Sequence, residues 1–118
     1  MSRLPNYLRT HRRISRLTQE ELAFLFGYVD QSIVGRLERD ERSITLSVAH
    51  SCHLLFDIDP RDIFPAFFAG VEDNLYRRLG ELSDRLLKDL PTQLTATKLE
   101  GLHEAIHRLA LKSGRQEA

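Results

Sequence analysis

Apolar positions recur at helical spacing along nearly the whole chain, and no stretch alternates with the period of two that a half-buried strand requires. The pattern predicts an all-α fold. Residues 1–5 read as a short arm, and Asn6 is placed to cap a first helix over about 7–14, with Tyr7, Leu8, His11 and Ile14 on one side. Leu17 stands just before Thr18, as a hydrophobic staple would. Thr18 can cap a second helix, whose first turn holds Glu20 and Glu21 where the helix dipole favours them. Leu22, Ala23, Leu25 and Phe26 form its apolar stripe, and Gly27 ends it where a positive φ is commonly needed. Asp30 offers the next cap, and Ile33, Val34 and Leu37 restart the stripe on a third helix over 31–39. A polar loop over 39–45 leads to a fourth helix, 46–56, with Leu46, Val48, Ala49, Cys52, Leu54, Leu55 and Phe56 as its apolar surface. Asp59 and Pro60 then open a fifth helix carrying Ile63 and Phe64. Helices this short are marginal alone in water, so the five are expected to pack as one bundle.

The second half reads differently. In Pro65–Gly70 two adjacent phenylalanines, Phe67 and Phe68, cannot both face one neighbour. The segment reads either as a junction packed between two units or as simple core filling. Over 71–90, Val71, Leu75, Leu79, Leu82, Leu86 and Leu90 repeat at alternating steps of three and four, a helix with one narrow seam that Pro91 ends. A last helix over about 96–112 carries Leu99, Leu102, Ile106 and Leu109, and the tail from Gly114 reads as frayed. The two helices make a hairpin. One hairpin buries little, so its leucines should dock either on the N-terminal bundle or on a second copy of the chain. The expected division is a bundle over 1–65 and a dimerisation or interaction region over 66–118.

Composition adds constraints. At 118 residues the chain is one domain, or a small domain with an appendage. Its 17 basic and 17 acidic side chains cancel, yet Arg3, Arg9, Arg12, Arg13 and Arg16 fall within the first 19 residues with no acidic residue among them. That patch suits phosphate binding, or is a solvated helix face. The single cysteine, Cys52, excludes an internal disulfide and a cysteine zinc cluster. No signal-peptide pattern or membrane-length apolar run is present, so a cytoplasmic protein without a membrane partner is expected. His103-Glu104-Ala105-Ile106-His107 matches the H-E-x-x-H zinc pattern, but no third histidine stands at the extended position, and a five-residue match arises by chance. His50, Cys52 and His53 on the fourth helix suit metal or redox chemistry, or plain packing, which is the commoner role. With no Gly-rich phosphate loop and no nucleophile–base pair, the expectation is a non-enzyme without catalytic residues, metal or cofactor.

Four segments together carry a family resemblance: LRTHRR (8–13), LTQEELAFLFG (17–27), SIVGRLER (32–39) and LSVAHSCHLLFDIDPRDIF (46–64). Residues 8–64 resemble the DNA-binding domain of the lambda-repressor-like, Cro-type (XRE) helix-turn-helix regulators. The resemblance implies a five-helix domain whose third helix enters the major groove of double-stranded DNA. Its exposed face would offer Gln31, Ser32, Gly35, Arg36 and Arg39. Gln31 suits a bidentate bond to adenine and Arg36 one to guanine, while Gly35 leaves room for close approach. By the same resemblance Gln19 contacts phosphate and braces the recognition helix, Arg39 and Arg42 contact phosphate, and Arg12 pairs with Glu38 as a structural tie. Three departures stand out. Arg16 and Asp40 replace glycines common in the family, and Gly27 to Glu38 is one residue longer, so either the GYVD turn is extended or the third helix is rotated. The expected function is a sequence-specific, homodimeric DNA-binding regulator, dimerising through Leu75, Leu79, Leu82, Leu86, Leu99, Leu102, Ile106 and Leu109. The alternative is an antitoxin-like or adaptor module whose C-terminal helices take a protein partner.

Overall fold

The computed structural model describes residues 5–113. The expected N-terminal arm, save Pro5, and the expected frayed tail lie outside the described residues. Helices α1 (Leu8–Ile14), α2 (Gln19–Phe26), α3 (Ser32–Glu38), α4 (Leu46–Phe56), α5 (Pro60–Ile63), α6 (Pro65–Leu87) and α7 (Gln93–Ser113) follow in order, and no strand occurs among the described residues. The chain separates into two compact units, residues 1–69 and 70–118.

Capping chemistry explains why the helices of the first unit begin and end where they do. Thr18 Oγ1 accepts from the Glu21 N–H at 3.0 Å, and the Glu21 carboxylate accepts from the Thr18 N–H at 2.9 Å. This reciprocal box satisfies two otherwise orphaned donors and contributes about 1 kcal/mol. Gly27 closes α2 with φ +84°, a left-handed conformation that costs glycine almost nothing. Asp59 Oδ1 accepts from the Arg61 N–H at 2.9 Å ahead of Pro60 at the first position of α5. The Arg61 side chain and that N–H together hold the Asp59 carboxyl down at about 2. Tyr7, not Asn6, holds the cap position of α1, one residue later than expected, and Asn6 supports the start of the helix from just before it. Its carbonyl accepts from the Leu8 N–H at 3.0 Å, while its amide donates to the Leu37 carbonyl at 2.8 Å, so one buried side chain ties the start of α1 to α3.

Leu8, Leu22, Ala23, Val34, Leu37, Val48, Cys52, Ile63 and Phe64 form the core of this unit. Full burial of each large side chain is worth about 1.5–3 kcal/mol. The buried faces are narrower than the sequence stripes. On α1 only Leu8 goes inside, with Arg12 one turn on; Ile14 and Tyr7 are exposed. On α4 Val48, Ala49 and Cys52 are buried, whereas Leu46, Leu54 and Leu55 face solvent. A helix of two or three turns offers the core one file of side chains, and neighbours on its flanks stay wet. Burial pushes the Cys52 thiol up to about 12, so it serves as packing and not as a thiolate. His50 and His53 lie outside the core, their rings 6.4 Å apart, and do not converge with it.

Arg16 sits at φ +60° and Asp40 at φ +58°, the two positions where the family commonly has glycine. A left-handed L-residue carries about 1–2 kcal/mol of strain, less for Asp. Arg16→Gly should relieve that strain and forfeit about 0.5–1 kcal/mol of chain entropy. The expected net gain is on the order of 0.5 kcal/mol, read as a higher denaturation midpoint at unchanged m-value; a lower midpoint would refute it.

The second unit corrects the sequence pattern at several places. Pro65–Gly70, read as a junction or as core filling, is the start of α6, with Pro65 at its first position. There Phe68 packs against the N-terminal core and Phe67, edge-on to it at 5.5 Å, is more exposed. α6 stops at Leu87, short of Leu90, and α7 begins at Gln93, three residues earlier than Ala96, because Thr92 Oγ1 accepts from the Thr95 N–H at 3.1 Å. The leucine seam splits. Leu79 is buried, and Leu86, Leu99, Leu102, Ile106 and Leu109 are half-buried, but Leu75 and Leu82 are 49% and 42% exposed. Ser83 and Ala110, not leucines, complete the buried set. Lys112 pairs with Glu72 at 3.3 Å. His103, Glu104 and His107 lie exposed on α7, and no three metal-ligating side chains are grouped to hold an ion among the described residues. No helix of the described residues is long and apolar enough to cross a membrane.

Candidate nucleic-acid interface

Glu38 is the hub of the first unit's polar structure. It sits at the end of α3, 7% exposed. Arg12 Nε donates to its Oε2 at 2.6 Å and Arg12 Nη2 to its Oε1 at 3.3 Å; Gln19 Nε2 donates to the same Oε1 at 3.0 Å. Arg12 Nη1 reaches the Leu17 carbonyl at 2.9 Å. One buried carboxylate thus joins α1, the start of α2 and α3. Charge-assisted bonds of this kind are short and directional, so α3 is held at a defined rotation against α2.

The extra residue between Gly27 and Glu38 is absorbed by the turn, not by rotation of α3. Val34 and Leu37 are fully in the core, Glu38 meets Arg12, and Val29 in the turn is completely exposed. On either side the turn is anchored. The Tyr28 N–H donates to the Ala23 carbonyl at 2.9 Å, its ring packs edge-on to Phe26, and the Arg42 guanidinium lies 5.4 Å over it. Asp30 Oδ1 accepts from the Ser32 N–H at 2.9 Å, and this bond, with help from the Ser32 hydroxyl and the Arg36 charge, lowers the Asp30 carboxyl below its ordinary range.

Gln31, Ser32, Arg36, Arg39 and Arg42 are all exposed, and Gln19 is half-buried. Gly35 is the exception. It is buried, and a Cβ built there would meet Arg39 Nη1 at 3.1 Å and Gln19 Nε2 at 3.5 Å. The absent side chain makes space for these two long side chains, which cross the helix; it does not lie open on the outer face as the sequence suggested. Arg39 also forks onto Glu41, with bonds of 3.0 and 3.2 Å, which raises the arginine and lowers the carboxyl. Both partners are exposed, and such a pair is worth little in water, so a phosphate can displace Glu41 cheaply. Of the N-terminal arginines described, Arg9, Arg13 and Arg16 face solvent while Arg12 is consumed in the core. Sequence reasoning missed Asn6, Tyr28 and Glu41 as positioning residues. Asn6 reaches Leu37 and Tyr28 meets Arg42 across the chain, where residue spacing carries no signal, whereas Glu41 lies only two residues from Arg39.

A short helix held at a fixed rotation, exposing amide, hydroxyl and guanidinium groups beside a half-buried glutamine at the start of the preceding helix, defines a helix-turn-helix DNA-binding domain. Residues 8–63 match the helix-turn-helix family. This part of the chain belongs to the lambda-repressor-like, Cro-type regulators, and its activity is DNA binding in transcription regulation. No curated protein and no solved structure matches the chain.

Proposed function

We propose that this regulator reads a specific sequence in double-stranded DNA as a homodimer, in the cytoplasm. The observation that carries the reading is the Glu38 hub. It fixes α3 through Arg12 and Gln19 while leaving Gln31, Ser32 and Arg36 exposed. Gln31 pairs with adenine and Arg36 with guanine by two hydrogen bonds each. Gln19, Arg39 and Arg42 take phosphates, which position the domain without reading sequence. Dimerisation is supported by the split seam. Leu79 is buried and Leu99, Leu102, Ile106 and Leu109 are half-buried, whereas Val71, Leu75 and Leu82 stay exposed on α6. With Leu86 this second file suits a copy of itself. The hairpin's charges, eight acidic and eight basic over residues 70–118, do not oppose self-association.

Selection of bound duplexes from random DNA tests the reading. The expected result is a nearly palindromic site with half-sites about one helical turn apart, bound with an affinity that falls steeply as salt rises. Recovery of no common sequence would reject it. The same exposed file on α6 equally fits a different protein, as in an antitoxin or adaptor. Light scattering separates the two readings, with a stable dimer for the first and a monomer for the second.

A further inference from the structure

The geometry points to Val29 as an additional base-reading residue, one that contacts the C5-methyl group of a thymine in the major groove; this rests on the reading of α3 as the DNA-reading helix. Val29 stands in the turn that is one residue longer than the family's common spacing, and its side chain is wholly exposed. Isolated exposed apolar residues are ordinary on protein surfaces. This one is set apart by how it is presented. Tyr28 before it is fixed by a backbone bond, an aromatic contact and the Arg42 guanidinium. Asp30 after it is fixed by its bond to the Ser32 N–H. The two methyl groups are therefore held out from an anchored turn, two residues ahead of Gln31, at the end of α3 that approaches base edges.

Valine has no donor or acceptor on its side chain. The one apolar feature that a base edge offers in the major groove is the thymine methyl. Excluding water from such a contact is worth about a fourfold change in affinity per methyl group buried. The neighbouring apolar side chain, Ile33, is half-buried against the protein core and is not available in the same way. Val29 would thus add a thymine preference beside the base read by Gln31, on the flank of the half-site that α3 enters first.

The test uses the full-length protein and the duplex recovered by selection. Each thymine of one half-site is replaced in turn by deoxyuridine, which removes only the methyl group. Wild-type protein should lose about fourfold in affinity at one thymine adjacent to the Gln31-contacted base. Val29→Ala, at a fully exposed position, should fold normally, bind the deoxyuridine duplex as wild type does, and show little difference between the two duplexes. An equal loss in wild type and Val29→Ala, no sensitive thymine in the half-site, or no thymine at that place overturns the inference. If selection returns no common sequence, the DNA-reading role itself fails. If Arg36→Ala changes the selected site while Val29→Ala leaves methyl sensitivity intact, the inference alone fails.

Discussion

Glu38→Ala is expected to remove most of the stability of the N-terminal unit, about 3–5 kcal/mol. The substitution strands the Arg12 guanidinium, which is 9% exposed and would keep only its bond to the Leu17 carbonyl. It also releases Gln19 from α3. Small domains hold about 5–15 kcal/mol in all, so a loss of this size leaves the unit near its unfolding threshold. Arg12→Ala should be similarly severe, because the Glu38 carboxylate would retain Gln19 alone. The double replacement Arg12→Met with Glu38→Leu should cost far less than the sum of the single losses, since no buried charge is left without a partner. Amide exchange at Val34 and Leu37, both in α3, reads this unit without interference from the hairpin. Losses under about 1 kcal/mol for either single variant would show that the hub is not what holds α3.

Arg36→Ala should leave folding intact and change what the protein recognises. The side chain is exposed, and its removal strands no buried group. If it forms a bidentate bond to guanine, discrimination at one base pair should fall by about 1–3 kcal/mol, roughly five- to 150-fold. Arg39→Ala and Arg42→Ala should behave differently, weakening binding to all sequences alike and reducing the salt slope by about one for each phosphate no longer neutralised. Competition between matched and single-mismatch duplexes at two salt concentrations separates the two kinds of effect. An unchanged mismatch penalty in Arg36→Ala would remove that residue from base reading. The Arg39–Glu41 fork implies a further contrast among the phosphate-binding residues. Removing Glu41 should free Arg39 and strengthen binding of any duplex slightly, because an exposed ion pair no longer competes with phosphate.

Much of the fold was legible along the chain, for a reason that differs from element to element. Thr18 with Glu21, Asp30 with Ser32, and Asp59 with Arg61 act over two or three residues, so the hydrogen bonds that start α2, α3 and α5 are written in adjacent letters. Gly27 is read the same way, because its left-handed backbone is a property of one residue. The pair Arg12–Glu38 came from the family resemblance and not from spacing, since 26 residues separate its members. Gly35 shows the opposite case. Its position on α3 is plain in the sequence, but the Gln19 and Arg39 side chains that cover it come from a different helix and from one turn away. The hairpin seam likewise looked like one stripe. A period of about 3.5 residues gathers every leucine on a face about 100° wide and does not say which edge of that face meets α7.

The sequence by itself determined the order of the helices, the caps of α2 and α5, the all-α class and the family of residues 8–63, because these depend on contacts within a few residues or on a pattern read in one dimension. The tertiary structure decided that the GYVD turn, not α3, absorbs the extra residue, that Gly35 lies beneath Gln19 and Arg39, and that Leu75 and Leu82 remain exposed while Leu79 is buried. Those outcomes depend on which neighbour occupies each side of a helix. A buried carboxylate at Glu38 keeps both Arg12 and Gln19 as partners and holds the rotation of α3, while the longer turn leaves Val29 exposed, outside core and hub.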